Sequence, residues 1–184
     1  LLSRKNPMGS IRSTHERALS EPFLRSDDAT ALLKVMPDLP GQFDAQQDSI
    51  ALAQWLVNQL PDWLEGVKRA ALFVIDPAVG RIKVLAHVPT LKPILSDTLA
   101  HRALETRTAF AWQQVSKKES VRRLSMQAGL YVPLMAADDE MGILCVESTE
   151  EGGSFSEGQL SALILIGQIA AVHLQNRLWR EAGN

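Results

Sequence analysis

The sequence predicts an α+β fold: one antiparallel sheet with its terminal helices gathered on one face. Three observations carry this. The segments run helix, two strands, helix, strand, loop, two strands, helix. Residues 141–148 are almost continuously apolar, as suits a central strand covered on both sides. The last 30 residues hold one long helix with two apolar stripes.

Residues 1–42 are rich in proline, glycine and charge, and read as a linker or N-terminal extension ahead of a domain at 43–184. Only Ala29 to Met36 shows a short helical pattern there, with Ser26 or Asp27 as N-cap. A helix is expected from about Asp44 to Leu60. Ile50, Ala53, Leu56, Val57, Leu60 and Leu64 form its apolar stripe, and Pro61 should end or kink it. A hairpin follows: Arg69 to Ile75, a turn at Asp76-Pro77-Ala78-Val79-Gly80, then Arg81 to Val88 with apolar and polar residues alternating. Pro89 and Pro93 mark a loop. A second helix is expected from Ile94 to Thr106, and a short strand from Ala109 to Gln113. Lys117 to Leu124 has the makings of a helical turn or two. Gln127 to Leu134 and Met141 to Ser148 are strands joined by Ala136-Ala137-Asp138-Asp139-Glu140.

The last helix should run from Ser156 to Glu181. Ser156 and Gln159 make a capping box, and Phe155 just before it can staple the entry. Leu160, Ile164, Gly167, Ala171, Leu174 and Leu178 step by four and three, which is a heptad seam. Leu165, Ile169, Val172 and Trp179 form a second stripe. Two stripes need two partners: the sheet, and either a second subunit or the helix at 44–60. The heptad seam is assigned to a homodimer interface.

The 184 residues suit one domain plus a flanking segment, with 46% hydrophobic and 22% charged residues. Net charge is −2, with both signs interspersed, which argues against nucleic acid as a partner. The apolar run from Ala162 to Val172 is shorter than the roughly 20 residues of a membrane span, so no membrane partner is expected. A single cysteine, Cys145, forbids an internal disulfide and fits a reducing, cytoplasmic setting. No signal peptide is visible at Leu1, and the absence of an initial methionine suggests a fragment.

Candidate chemistry is sparse. His15, His87, His101 and His173 lack the spacing of a helical metal pair, and no Cys-x-x-Cys is present, so no metal or cofactor is expected. Cys145 lies mid-strand and reads as a buried, inert thiol. There is no Gly-x-Ser-x-Gly elbow and no phosphate-binding glycine loop. Asp138-Asp139-Glu140 reads as a solvated hairpin tip.

The order and the local wording together resemble the GAF family. The likeness rests on Tyr131-Val132-Pro133-Leu134, then Met141-Gly142-Ile143-Leu144-Cys145-Val146, then Phe155-Ser156, then a helix closing on Gln175-Asn176-Arg177-Leu178. The alanine usual between that asparagine and arginine is missing here. The resemblance covers about Asp44 to Glu181. Arg12-Ser13-Thr14 and the charged stretch after it resemble linkers between forkhead-associated and GAF domains in bacterial regulators.

The resemblance implies a five- to six-stranded sheet with N- and C-terminal helices on one face and a ligand pocket on the other. It implies a non-catalytic regulatory domain that senses a small molecule, dimerises, or both, to control an output domain in the same parent chain. The pocket would draw on His87, Leu91, Leu95, His101, Trp112, Met126 and Tyr131. The Asn-Lys…Phe…Asp-Glu signature of cyclic-nucleotide-binding relatives is absent. Relatives that reduce free methionine sulfoxide use several cysteines in turn, and a single one cannot close that cycle.

Overall fold

A computed structural model describes residues 35–76, 79–89, 97–113, 126–151 and 153–183. The expected helix at 29–36, the Arg12–Thr14 linker and the turns at 117–124 fall almost wholly outside them. The order is α1 (Leu39–Asp44), α2 (Ser49–Trp63), β1 (Arg69–Asp76), β2 (Arg81–Val88), α3 (Asp97–Thr106), β3 (Phe110–Gln113), β4 (Ala128–Ala136), β5 (Asp139–Ser148) and α4 (Glu157–Ala182). The five strands form one antiparallel sheet in the order β2-β1-β5-β4-β3. β5 is therefore central, as its apolar run predicted, and is buried on both faces from Gly142 to Ser148.

The first face packs on α1, α2 and α4. Leu72 and Val74 of β1, Leu144 and Val146 of β5, and Leu130, Val132 and Leu134 of β4 meet Leu52, Leu56 and Leu60 of α2 and Leu163, Ile166 and Leu174 of α4. The side chain of Asp48 caps α2 by accepting from the Ala51 N–H at 2.7 Å. Ser156 and Gln159 form the expected capping box at α4. Gly142 lies where the hairpin meets β1, and a Cβ there would overlap the Phe73 carbonyl oxygen.

Three expectations change. Pro61 does not end its helix but sits in the last turn of α2, where few further i→i−4 bonds remain to be lost. Ile50 is off the apolar stripe and exposed, because Leu52, Ala53, Leu56 and Val57 set the buried side. The core also begins before residue 43: Leu39 and Phe43 of α1 are fully buried. Arg177 of α4 holds α1 in place by donating to the carbonyls of Phe43 at 2.6 Å and Gln46 at 2.7 Å. The Phe43 carbonyl also accepts from the Gln46 N–H at 3.1 Å, and Arg177 supplies these end-of-helix carbonyls with donors that a further turn would otherwise give.

α4 is long and apolar enough, by length and composition, to cross a membrane, although its uninterrupted apolar run is short. Its apolar side is spent on the sheet and it carries Arg177 inside the fold, so in this structure it is the core helix of the domain.

Candidate functional site

The second face of the sheet has a different composition. Registers across the strands align His87, Ala71, Cys145, Tyr131 and Phe110 in one row, and Arg69, Glu147, Gly129 and Trp112 in the next. Directly paired residues share a face, so these side chains stand together. α3 covers part of the face with Ala100, Ala103 and Leu104, which pack with Phe73, Tyr131, Ile143 and Cys145. Phe110 stacks on Tyr131, ring centroids 5.5 Å apart, and the Arg102 guanidinium lies 4.8 Å from the Phe110 ring centre.

At the centre is a buried polar cluster. Glu147 is only 7% exposed. One of its oxygens lies 3.0 Å from Arg69 Nε, and the other accepts from the Tyr131 hydroxyl at 3.4 Å. That hydroxyl also lies 3.5 Å from Met126 Sδ. Gly129 makes room for the group: a Cβ there would come within 3.0 Å of Tyr131 Cε2 and 3.5 Å of Met126 Sδ.

Burial raises the Glu147 carboxyl above its ordinary range, opposed by the Arg69 charge and the Tyr131 hydrogen bond. Burial is also the main cause that pushes the Tyr131 phenol and the Cys145 thiol upward, with the nearby Glu147 charge adding to both. Cys145 therefore stays protonated at neutral pH, the opposite of an activated nucleophile. Among the described residues, no three of His, Cys, Asp and Glu come close enough to hold a metal ion.

Of the residues expected to line a pocket, Tyr131 and Met126 touch, and Trp112 and half-buried His87 stand on the same sheet face in adjacent rows. His101 does not join them. α3 turns Ala100, Ala103 and Leu104 inward, which leaves His101 exposed. Leu91 and Leu95 lie outside the described residues. Sequence reasoning missed Glu147, Arg69 and Gly129. The available signal was a carboxylate inside an otherwise apolar central strand, two residues from Cys145.

The dimer seam is also corrected. Leu160, Gly167, Ala171 and Leu174 are buried in the protomer's own core, and Ile164 and Leu178 are half-buried. A Cβ on Gly167 would come within 3.1 Å of Val132 and 3.3 Å of Leu134. The stripe with the small residues has to face the sheet, because only there does the helix approach this closely.

An open cleft of 540 Å³ lies by the start of α4, lined by Lys68, Glu150, Phe155 and Gln159 among others. Its main polar groups are engaged locally, Lys68 with Glu150 at 2.7 Å and Gln159 with the Glu65 carbonyl at 2.9 Å.

A family model described as the GAF domain matches residues 52–176. Solved structures share the fold. The GAF domain of an Acinetobacter phosphoenolpyruvate-protein phosphotransferase superposes with a TM-score of 0.65 at 19% identity, covering 78% of this chain and 92% of that one. The corresponding domain from Coxiella burnetii gives 0.68 at 16%, covering 85% and 99%. Free methionine-R-sulfoxide reductase from Neisseria meningitidis, in complex with its substrate, gives 0.66 at 14%, covering 86% and 97%. At these identities the likeness is one of fold. No curated protein sequence matches the chain.

Proposed function

Because this chain belongs to the GAF family, whose members are commonly regulatory modules of signalling proteins, we propose that it is a non-catalytic sensor whose second sheet face takes a small molecule. One observation carries this reading: the Glu147–Arg69–Tyr131 cluster, a buried carboxylate on a face whose packing does not require it. Buried charge costs several kcal/mol before pairing, about what a well-formed ion pair returns, so stability alone gives weak reason to keep it. A mostly apolar face with a few convergent polar groups is the usual form of a small-molecule site. Glu147 suits a ligand that presents a cationic or N–H donor group, with half-buried Trp112 beside it as a flat wall.

The signal would leave through β5. Its residues alternate between Cys145 and Glu147 on the ligand side and Leu144 and Val146 under the helices. A ligand that binds one setting of this strand more tightly shifts the population of α4 positions, and α4 would carry the shift to an output domain in the parent chain. The reductase alternative lacks support from Cys145, whose thiol is buried and held protonated.

Native mass spectrometry of the purified protein, followed by denaturing analysis of whatever is released, tests the reading. A small molecule at unit stoichiometry is expected in the wild type and should be absent from Glu147→Gln. An empty protein whose melting temperature no compound raises in a broad cationic and amine screen would overturn it.

A further inference from the structure

α4 continues for about two turns beyond Leu174, its last buried apolar residue. Of residues 175–182, all of them described, only Arg177 is buried. This end of the helix is gripped from one side. His173, Arg177 and Glu181 step by four and form one stripe, and each reaches the stretch that joins α1 to α2. His173 Nδ1 lies 3.1 Å from Asp44 Oδ1, and its ring meets the Phe43 ring with centroids 5.4 Å apart. Arg177 Nη2 donates to the carbonyls of Phe43, Asp44 and Gln46. The Glu181 carboxylate accepts from the Ser49 N–H and from the Ser49 hydroxyl, both at 2.7 Å.

We propose that residues 39–46 are a clasp that opens and closes on the end of α4 as one unit. Closed, it orders residues 175–182; open, it releases them while the sheet, α2 and the rest of α4 stay folded. Three features select a clasp over a permanent part of the core. The grip on α4 is mostly polar. On opening, the guanidinium and the carbonyls exchange each other for water, and such exchanges are nearly balanced. The closed form also holds a group that opening relieves. Arg177 is 7% exposed, and its Nε is buried with no acceptor among the described residues. An unmet buried donor weighs against the closed form and is met by water in the open one. Finally, the apolar anchor is small. Leu39 and Phe43 are the buried residues of α1, and burying two side chains gains about as much as ordering the segment costs in entropy. Phe43 carries two of the three grips, its ring on His173 and its carbonyl on Arg177. When α1 leaves, the Glu181–Ser49 contact stands alone on a fraying helix end.

Coupling of this kind is reciprocal. Whatever draws Leu39 and Phe43 from the core loosens residues 175–182, and whatever fixes residues 175–182 strengthens the docking of α1. The clasp shares no residue with the second sheet face, so it acts on α4 independently of the ligand reading.

Amide hydrogen exchange of the full chain, read by mass spectrometry peptide by peptide, tests the clasp. In the wild type, residues 39–46 and 175–182 should share one protection factor, at least about tenfold below that of β5, because they open together before the core does. Phe43→Ala weakens the clasp from α1, and Arg177→Met weakens it from α4. Each should speed exchange in both segments by one shared factor, about tenfold, and leave β5 unchanged. Should Phe43→Ala unfold the whole domain, seen as lost protection in β5, Arg177→Met decides, since it keeps most of the side chain's bulk. Residues 175–182 that stay protected as long as β5 in the wild type overturn the proposal. So does an Arg177→Met variant that speeds exchange in its own segment alone, or in neither.

Discussion

The two faces of the sheet are built from alternate residues of the same strands, yet they differ in kind. On the first face, β4 and β5 present Leu130, Val132, Leu134, Leu144 and Val146 to three helices. On the second, the same strands present Gly129, Tyr131, Cys145 and Glu147 to a single short helix and to each other. The first face does what hydrophobic burial requires. The second retains an ion pair, a phenol and a thiol where aliphatic side chains would pack as well, and that excess chemistry is what supports reading it as the functional side.

The separation of the two faces is tested most forcefully on the first. Leu144→Ala, which empties a fully buried position, should cost about 2–5 kcal/mol in denaturant unfolding, while ligand recovered from the folded fraction is unchanged. Were ligand lost from folded protein, the faces would not be separable.

Arg69→Met should cost less, about 1–3 kcal/mol, by leaving Glu147 without its cation. Its pH dependence is the more telling readout. Glu147 has a raised pKa in the folded state. Its contribution to stability is therefore full below the unfolded value of about 4.3 and is lost as pH rises through the folded value. Removing Arg69 removes the main opposing charge. Thermal melts should thus fall more steeply between acid and neutral pH in the variant than in the wild type. Parallel curves would mean that the pair is not coupled.

Tyr131→Phe should cost about 1 kcal/mol and yet lose the ligand, since the hydroxyl is its sole polar atom at Glu147. Retention of ligand would confine recognition to Glu147 itself. The smallest effect concerns Cys145. An aromatic disulfide reagent at pH 8 should leave the thiol unmodified until the protein is unfolded, because the sulfur is buried and held protonated. Rapid labelling would show that the second face opens readily.

The capping box at Ser156, the centrality of β5 and the order of elements were legible in the sequence because each is a local pattern: a cap, an apolar run, a turn. Glu147 and Arg69 were not, because their meeting depends on register. Residues 69 and 147 are far apart in the chain and become neighbours only when β1 pairs with β5. Tyr131 and Met126 were identified and do meet. His101 was expected at the pocket through the family resemblance, whereas α3 turns Ala100, Ala103 and Leu104 to the sheet and leaves His101 exposed.

The GAF fold and the two apolar stripes of α4 follow from consecutive residues, since periodicity and caps are local properties of the chain. Which stripe faces the sheet was settled in the folded molecule. Both have the right spacing, and the choice falls to the stripe with Gly167, whose lack of a side chain lets α4 lie close on Val132 and Leu134, with Ala171 of the same stripe also fully buried. Packing density is a property of two surfaces together, and so it cannot be read from either one alone.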